Sequence, residues 1–429
     1  MVTGILVDDS ASNSISSQTS PNTWTDSAGN IFIADSGNHA VRVIAATSGS
    51  TPILGISPSQ LASPVGNWIA GHIYTIAGTL GVPAGSGDTD SSPILATQAQ
   101  LQTPTAIALD GEGNLYIADS ADCTIHEVSA STGKIAIIAG ISQNCDISGD
   151  GVATSVKLNG PVGLAVDRSN HLYIADQGNA AIRVFISTPG IATIAGITQV
   201  WEARQIYTIA GTLGSSGSTG EDQSATQTAQ LQAPSSITLD ASGNLYIGDY
   251  VAVRVVTNTT GTYTVGGITK AWTAGNIYTV AGSLTTSGNN DQASALGTTL
   301  GSDASITALT TPISGVIVDT SGNLYIDDPG NNSIRVVPNS SGRFNLLGTT
   351  LGSPWQAGNI NSIIPNLSYI TNAISLDSSG NLLISDTSSH SIHKVSGSSG
   401  TATVIAGGQG SGSTGDQGPA TSARLNTPF

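Results

Sequence analysis

The side chains of this 429-residue chain suited to metal binding or proton transfer are six histidines and 28 acids, set against 12 Lys and Arg. A catalytic zinc asks for about three converging His or Cys ligands with one open position. His39, His72, His126, His171, His390 and His393 fall in separate segments and at unlike local positions, so a histidine zinc centre is not expected. The aspartates are more regular. Asp35, Asp119, Asp176, Asp249, Asp328 and Asp386 each close a segment of the form GNLYIAD, and six copies arranged in a ring could suggest calcium or acid/base chemistry. A residue that recurs in every copy more often serves the copy itself, and an Asp at a strand end beside Gly-Asn is suited to capping its turn through backbone N–H groups. Asp88, Asp150, Asp222, Asp291 and Asp416 lie in loops and are the better calcium candidates, although none has EF-hand spacing. No nucleophile elbow surrounds a serine, and GQGSGSTGDQG at 408–418 lacks the GK[ST] of a phosphate loop. No catalytic residue, resident metal or cofactor is therefore assigned, with calcium as the one ion held open.

A basic residue follows the repeated Asp by seven positions in five copies, as Arg42, His126, Arg183, Arg335 and His393, and by five in the fourth, as Arg254. On strand alternation it faces away from its Val and Ile neighbours and is expected to pair with polar groups of an adjacent strand. Trp68, Trp201, Trp272 and Trp355 stand five residues before Ile73, Ile206, Ile277 and Ile360. They are expected to cover an outer blade edge, with an aromatic contact surface for a second subunit or a glycan as the sharper alternative. Phe429 joins them as a candidate contact. Cys123 and Cys145 fall in loops of one copy and are candidates for a disulfide, with two free thiols as the alternative. Asn258, Asn331, Asn339 and Asn366 stand in N-x-[ST] context, open to glycosylation if the chain is exported.

These residues are carried by a repeat. Before each GNLYIAD-like segment runs an apolar stretch ending in Asp, such as AIALD at Asp110, GLAVD at Asp167, SITLD at Asp240, GVIVD at Asp319 and AISLD at Asp377. After it come an IRVV-like strand and an IYTIAG-like strand. Each unit reads as four antiparallel strands, which cannot bury their faces alone, so six units are expected to pack radially as an all-β, six-bladed β-propeller. Blades are placed at about 1–80, 81–140, 141–211, 212–282, 283–365 and 366–429, forming one domain. LNTPF at the end of the chain and MVTGILVDD at its start join as TPF-TGILVD, which matches TPISGVIVD at 311–319. Ring closure within one chain is expected, with residues 10–26 and parts of 45–72, 283–311 and 338–359 as insertions.

SAGNIFIADSGNHAVRVI, from Ser27 to Ile44, resembles the unit of the NHL-repeat family. SGDGVATSVKLNGPVGLAVD and TGDQGPATSARLNTPF are similar to the connections between blades of bacterial NHL proteins. The resemblance implies the propeller fold, and a range of roles: protein-interaction modules, RNA binders with strongly basic faces, and a few enzymes. A net charge of −16 opposes a nucleic-acid partner, because such binding rests on clustered Lys and Arg. No apolar stretch approaches the ~20 residues of a membrane helix. MVTGILVDDS shows no export signal, yet the scarcity of Lys and the loop cysteines favour an extracellular or cell-surface site, with any leader removed. The expected role is a non-catalytic binding or structural subunit whose partners are proteins, its own copies included, or glycans, and which assembles into filaments or arrays. The alternative is a propeller lyase or lactonase with a carboxylate-bound divalent metal in its channel.

Overall fold

The computed structural model describes residues 23–83, 93–283, 313–343, 345–349, 354–364 and 371–429. Runs such as Leu115–Asp119 and Ala181–Phe185 are rich in β-branched and aromatic residues, and both faces are buried because each sheet is sandwiched between two others. Blade one contains Thr23–Thr25, Ile31–Asp35, Ala40–Ile44 and Ile73–Gly78 in that spatial order. The inner strands of the next five blades are Pro104–Leu109, Pro161–Val166, Pro234–Leu239, Gly315–Val318 and Thr371–Leu376. They neighbour one another in sequence, and Thr371–Leu376 meets Thr23–Thr25 to close the ring.

Among the described residues blades one, five and six are four-stranded, while blades two, three and four gain a fifth, two-residue strand at the outer edge. That strand, Ile94–Leu95, Gly151–Val152 or Gln223–Ser224, comes from the connection entering the blade. Blade one receives the same treatment from the far end of the chain, where Pro419 bridges His72 and Pro428 bridges Asp35. Phe429 N–H donates to Ala34 O at 3.0 Å. The inner-strand place opposite Ile31–Ile33 is held by Thr23–Thr25, while residues 3–9 lie outside the described residues.

Apolar residues form six separate slabs, one at each seam between blades. Phe32, Val41 and Tyr74 of blade one pack with Ile107, Ile117 and Ile135 of blade two, and Ile33 and Ile73 close the ring against Ile392 and Ala406 of blade six. Stability is thus made between blades, as expected where a unit cannot bury its faces alone.

Up-and-down order within each blade gives the disc two unlike faces. One carries the turns between second and third strands and the connections between blades. The other carries the Asp-x-x-Gly-Asn turns and the loops between third and outer strands. In blades three and four those loops extend into hairpins, Gly190–Ile194 with Ile197–Trp201 and Gly261–Val265 with Ile268–Trp272. In blades one and five, Gly49 bridges Trp68 and Gly342 bridges Trp355 at the matching place.

Candidate functional site

In blades one to four the repeated Asp at the end of the second strand faces the incoming connection. Asp119 accepts the N–H groups of Gln102 and Thr103 at 2.6 Å each, Asp176 that of Asn159 at 2.8 Å, and Asp249 those of Gln232 and Ala233 at 2.7 and 2.9 Å. Asp35 accepts Asn426 N–H at 2.8 Å from the last residues of the chain. These carboxylates therefore clamp the incoming segment, and Asp35 and Asp176 also accept the amides of Asn38 and Asn179 in their own turns. Asp386 accepts the N–H groups of Ser388 and Ser389 in its own turn at 2.9 Å each.

The basic residue completes the clamp. Arg42, Arg183 and Arg335 lie 3.4, 3.4 and 3.2 Å from Asp35, Asp176 and Asp328, all of these side chains fully buried. A register shift beside each basic position on the third strand marks a bulge in the pairing with the outer strand, which turns the long side chain toward the connection. There Arg42 donates to Arg424 O at 3.0 Å and Asp416 Oδ1 at 3.1 Å, and Arg183 to Gly149 O at 3.1 Å and Asp150 Oδ1 at 3.3 Å. Blades two and six use histidine, with His126 4.0 Å from Asp119 and His393 3.5 Å from Asp386.

Burial pushes Asp35 up to about 6 against the pull of Arg42 and Asn38, and pushes Asp119 to about 6 against its two backbone donors. Asp386 goes the other way: burial raises it, but hydrogen bonds from His393, Ser388 and Ser389 together bring it to about 2.

The loop acids considered for calcium are occupied with the same construction. Asp150 Oδ1 accepts both the N–H and the hydroxyl of Thr208, at 2.9 and 2.8 Å, and Asp416 accepts the Thr75 hydroxyl at 3.0 Å. In blade four Glu221 takes over, holding Thr279, while Asp222 pairs with Lys270 at 3.1 Å. Asp88 and Asp291 lie outside the described residues. Turn capping belongs to a different aspartate, the one ending the inner strand. Asp110 accepts Glu112 N–H, Asn114 N–H, the Asn114 amide and the Tyr116 hydroxyl at 2.8–3.0 Å, and Asp240 and Asp319 repeat this set. The Asp-to-Tyr spacing of six, visible in the sequence, is the signal that would have identified it.

Among the described residues no three His, Cys, Asp or Glu side chains gather as a metal site. His39 and His390 sit at left-handed turn positions with their Nδ1 atoms against Gln102 O and Thr427 N–H, and His72 Nδ1 faces Gln417 O. His171 is buried beside Ser187.

The tryptophan contact surface needs correction. Trp68, Trp201, Trp272 and Trp355 are only 1–2% exposed, because each folds back beneath its own loop. Trp68, Trp201 and Trp272 donate Nε1–H to Thr51 O, Ala192 O and Tyr263 O at 2.8–3.0 Å and meet Tyr74, Tyr207 and Tyr278 edge-on with centroids 4.8–5.0 Å apart. Exposed apolar area lies beside them instead, at Ile191 (78%) and Val200 (65%), directly paired across the blade-three hairpin. Phe429 is half-buried against Ala34.

Cys123 and Cys145 form a disulfide with Cα atoms 5.4 Å apart, tying the second turn of blade two to the connection that leaves it. The amide nitrogens a glycan would need at Asn258, Asn339 and Asn331 donate to Ser242 O, Ser321 O and Asp328, the first two at the surface. Asn366 lies outside the described residues. Two cavities open on the hairpin face. One of about 220 Å³ lies beneath the Trp68 loop between blades one and two, and one of about 530 Å³ lies between blades five and six, bordered by Asp319, Asn345 and Asp377.

A family defined as the Teneurin NHL domain matches residues 71–187, which hold most of blades two and three. Teneurin-3 of Mus musculus is 40% identical over 100 residues, 20% of this chain and 4% of that protein. Teneurin-m of Drosophila melanogaster is 38% identical over 112 residues, 24% of this chain and 4% of its own length. The chain thus spans a small fraction of the relatives it matches. Among solved structures, a virginiamycin B lyase of Staphylococcus aureus superposes with a TM-score of 0.44 at 10% identity, over 94% of this chain and 87% of that one. That likeness is too distant to bear on activity.

Proposed function

The chain is a six-bladed β-propeller of the NHL-repeat type, and from that premise we propose that it is a non-catalytic, protein-binding module of an exported or cell-surface protein. One observation carries this reading: the repeated carboxylates of blades one to four, which would supply acid/base or metal chemistry, hold the incoming connections onto their blades. The match to the Teneurin NHL domain supports a protein-binding role, and the Cys123–Cys145 disulfide supports an oxidising location. Among the described residues no helix is long and apolar enough to cross a membrane.

Self-assembly is the narrower form of the proposal. With the tryptophans buried, its support passes to the blade-three hairpin, whose strands pair only with each other and which sets Ile191 beside Val200 in solvent. Light scattering across a wide concentration range tests it. A mass that grows with concentration, and that reverts to the monomer when Ile191→Ser is combined with Val200→Ser, is the expected result. A monomer at every concentration ends the self-assembly form. Stoichiometric divalent metal in the purified chain would count against the non-catalytic reading.

A further inference from the structure

Blade four breaks the pattern of its sisters at one buried oxygen. In blades one, three and five an asparagine three residues after the repeated Asp donates its amide to the carboxylate: Asn38 to Asp35 at 2.9 Å, Asn179 to Asp176 at 2.9 Å and Asn331 to Asp328 at 2.7 Å. In the first two the same amide also donates to a carbonyl of the connection, Gly412 O at 2.7 Å and Asp146 O at 3.2 Å. Blade four has only Tyr250 and Val251 between Asp249 and Ala252, and no such asparagine. Asp249 Oδ2 is buried and accepts no hydrogen bond, although Asp249 itself is only 2% exposed. Arg254 does not compensate, because it stands 3.8 Å away and donates instead to Gln230 O at 2.8 Å and Thr219 O at 3.1 Å. Its other acidic neighbour, Glu221 at 3.9 Å, leaves the trio with a net charge of −1.

We propose that blade four holds a small monovalent cation of the sodium, potassium or ammonium class, with Asp249 Oδ2 as its anionic ligand, where the sister blades place an asparagine amide. The second ligand follows from the repeat. Gly217 N–H donates to Leu231 O as Gly412 N–H does to Leu425 O, which makes Gly217 O the counterpart by the repeat of the carbonyl that Asn38 reaches. A single carboxylate charge suits a singly charged ion whose remaining ligands are backbone and water oxygens, whereas a calcium site gathers several carboxylates among its six to eight oxygens.

The test uses the full chain. Thermal midpoints are compared in sodium, potassium, ammonium and choline chloride at one ionic strength, and crystals grown with thallium(I) are examined for anomalous scattering. A midpoint about 1–3 °C higher in one of the small cations than in choline, with a thallium peak beside Asp249 that Asp249→Asn removes, is expected. Replacing Tyr250–Val251 with the Ser-Gly-Asn-His that follows Asp35 restores the amide, and should abolish both signals while keeping the fold. That variant decides the matter if Asp249→Asn does not fold. Equal midpoints in all four salts with no thallium at Asp249 would overturn the proposal, as would signals that survive the turn replacement, since the ion would then be adventitious.

Discussion

Asp110 and Asp119 lie on neighbouring strands of blade two with opposite tasks, one closing its own turn and the other seizing the chain on its way in. The difference has energetic consequences. Arg183→Ala leaves Asp176 buried beside no cation, and unfolding in urea should show a loss of about 3–5 kcal/mol. Asp110→Ala removes a cap whose neutral backbone donors are only part-buried, and should cost about 1–3 kcal/mol. Within the repeated set, Asp119 and Asp386 respond oppositely to pH. Asp119 binds its proton up to about 6 in the folded chain against 3.8 as the reference. Its contribution is full below about 3.8 and disappears as the pH rises through about 6. Asp386, held at about 2, contributes above about 3.8 and loses that contribution as the pH falls through about 2. Midpoints measured between pH 4 and 6 should therefore fall less steeply with pH in Asp119→Asn than in the parent. Equal slopes would show that Asp119 titrates normally. The repeat made both sets of aspartates legible in sequence. It did not reveal which would reach across to another segment, because the partners are backbone N–H groups that carry no residue signature.

Each long loop on the hairpin face leans onto the following blade through a glycine. Gly196 N–H donates to Asn258 Oδ1 at 3.0 Å and Gly267 N–H to Asn339 Oδ1 at 3.3 Å. A Cβ on Gly196 would lie 1.9 Å from Gly275 N, whereas Gly71, with the same φ of +76°, faces open space. The pair separates backbone strain from contact. Gly71→Ala should cost about 1 kcal/mol, and Gly196→Ala should cost about 1 kcal/mol more and speed amide exchange across Gly190–Trp201. Similar exchange in the two variants would mean that the hairpin does not buttress blade four. The hairpins could be located from the Trp-to-Ile spacing, but the burial of the indoles could not. Only the fold brings Tyr207 or Tyr278 beneath them, and a tryptophan in a polar loop reads equally well as exposed. Thr23–Thr25 escaped notice for a simpler reason: three residues, TWT, show no alternation to mark a strand.

Six seams share the stabilisation of the whole disc, and two of its fastenings are long in sequence. Opening the disulfide through Cys123→Ser with Cys145→Ser frees a loop spanning 22 residues and should cost about 3 kcal/mol, read as a lower urea midpoint. The other fastening is blade one itself. Arg42 and Thr75 both depend on Asp416, and 341 residues separate Thr75 from it. On the ribosome, at about 5–20 residues per second, that interval lasts on the order of 20–70 s. Throughout it blade one must wait with a guanidinium awaiting its partner and a seam without its second wall, while the later blades complete themselves. Vectorial synthesis thus finishes the foremost of the six blades last, and during that delay it is the blade most in need of shelter.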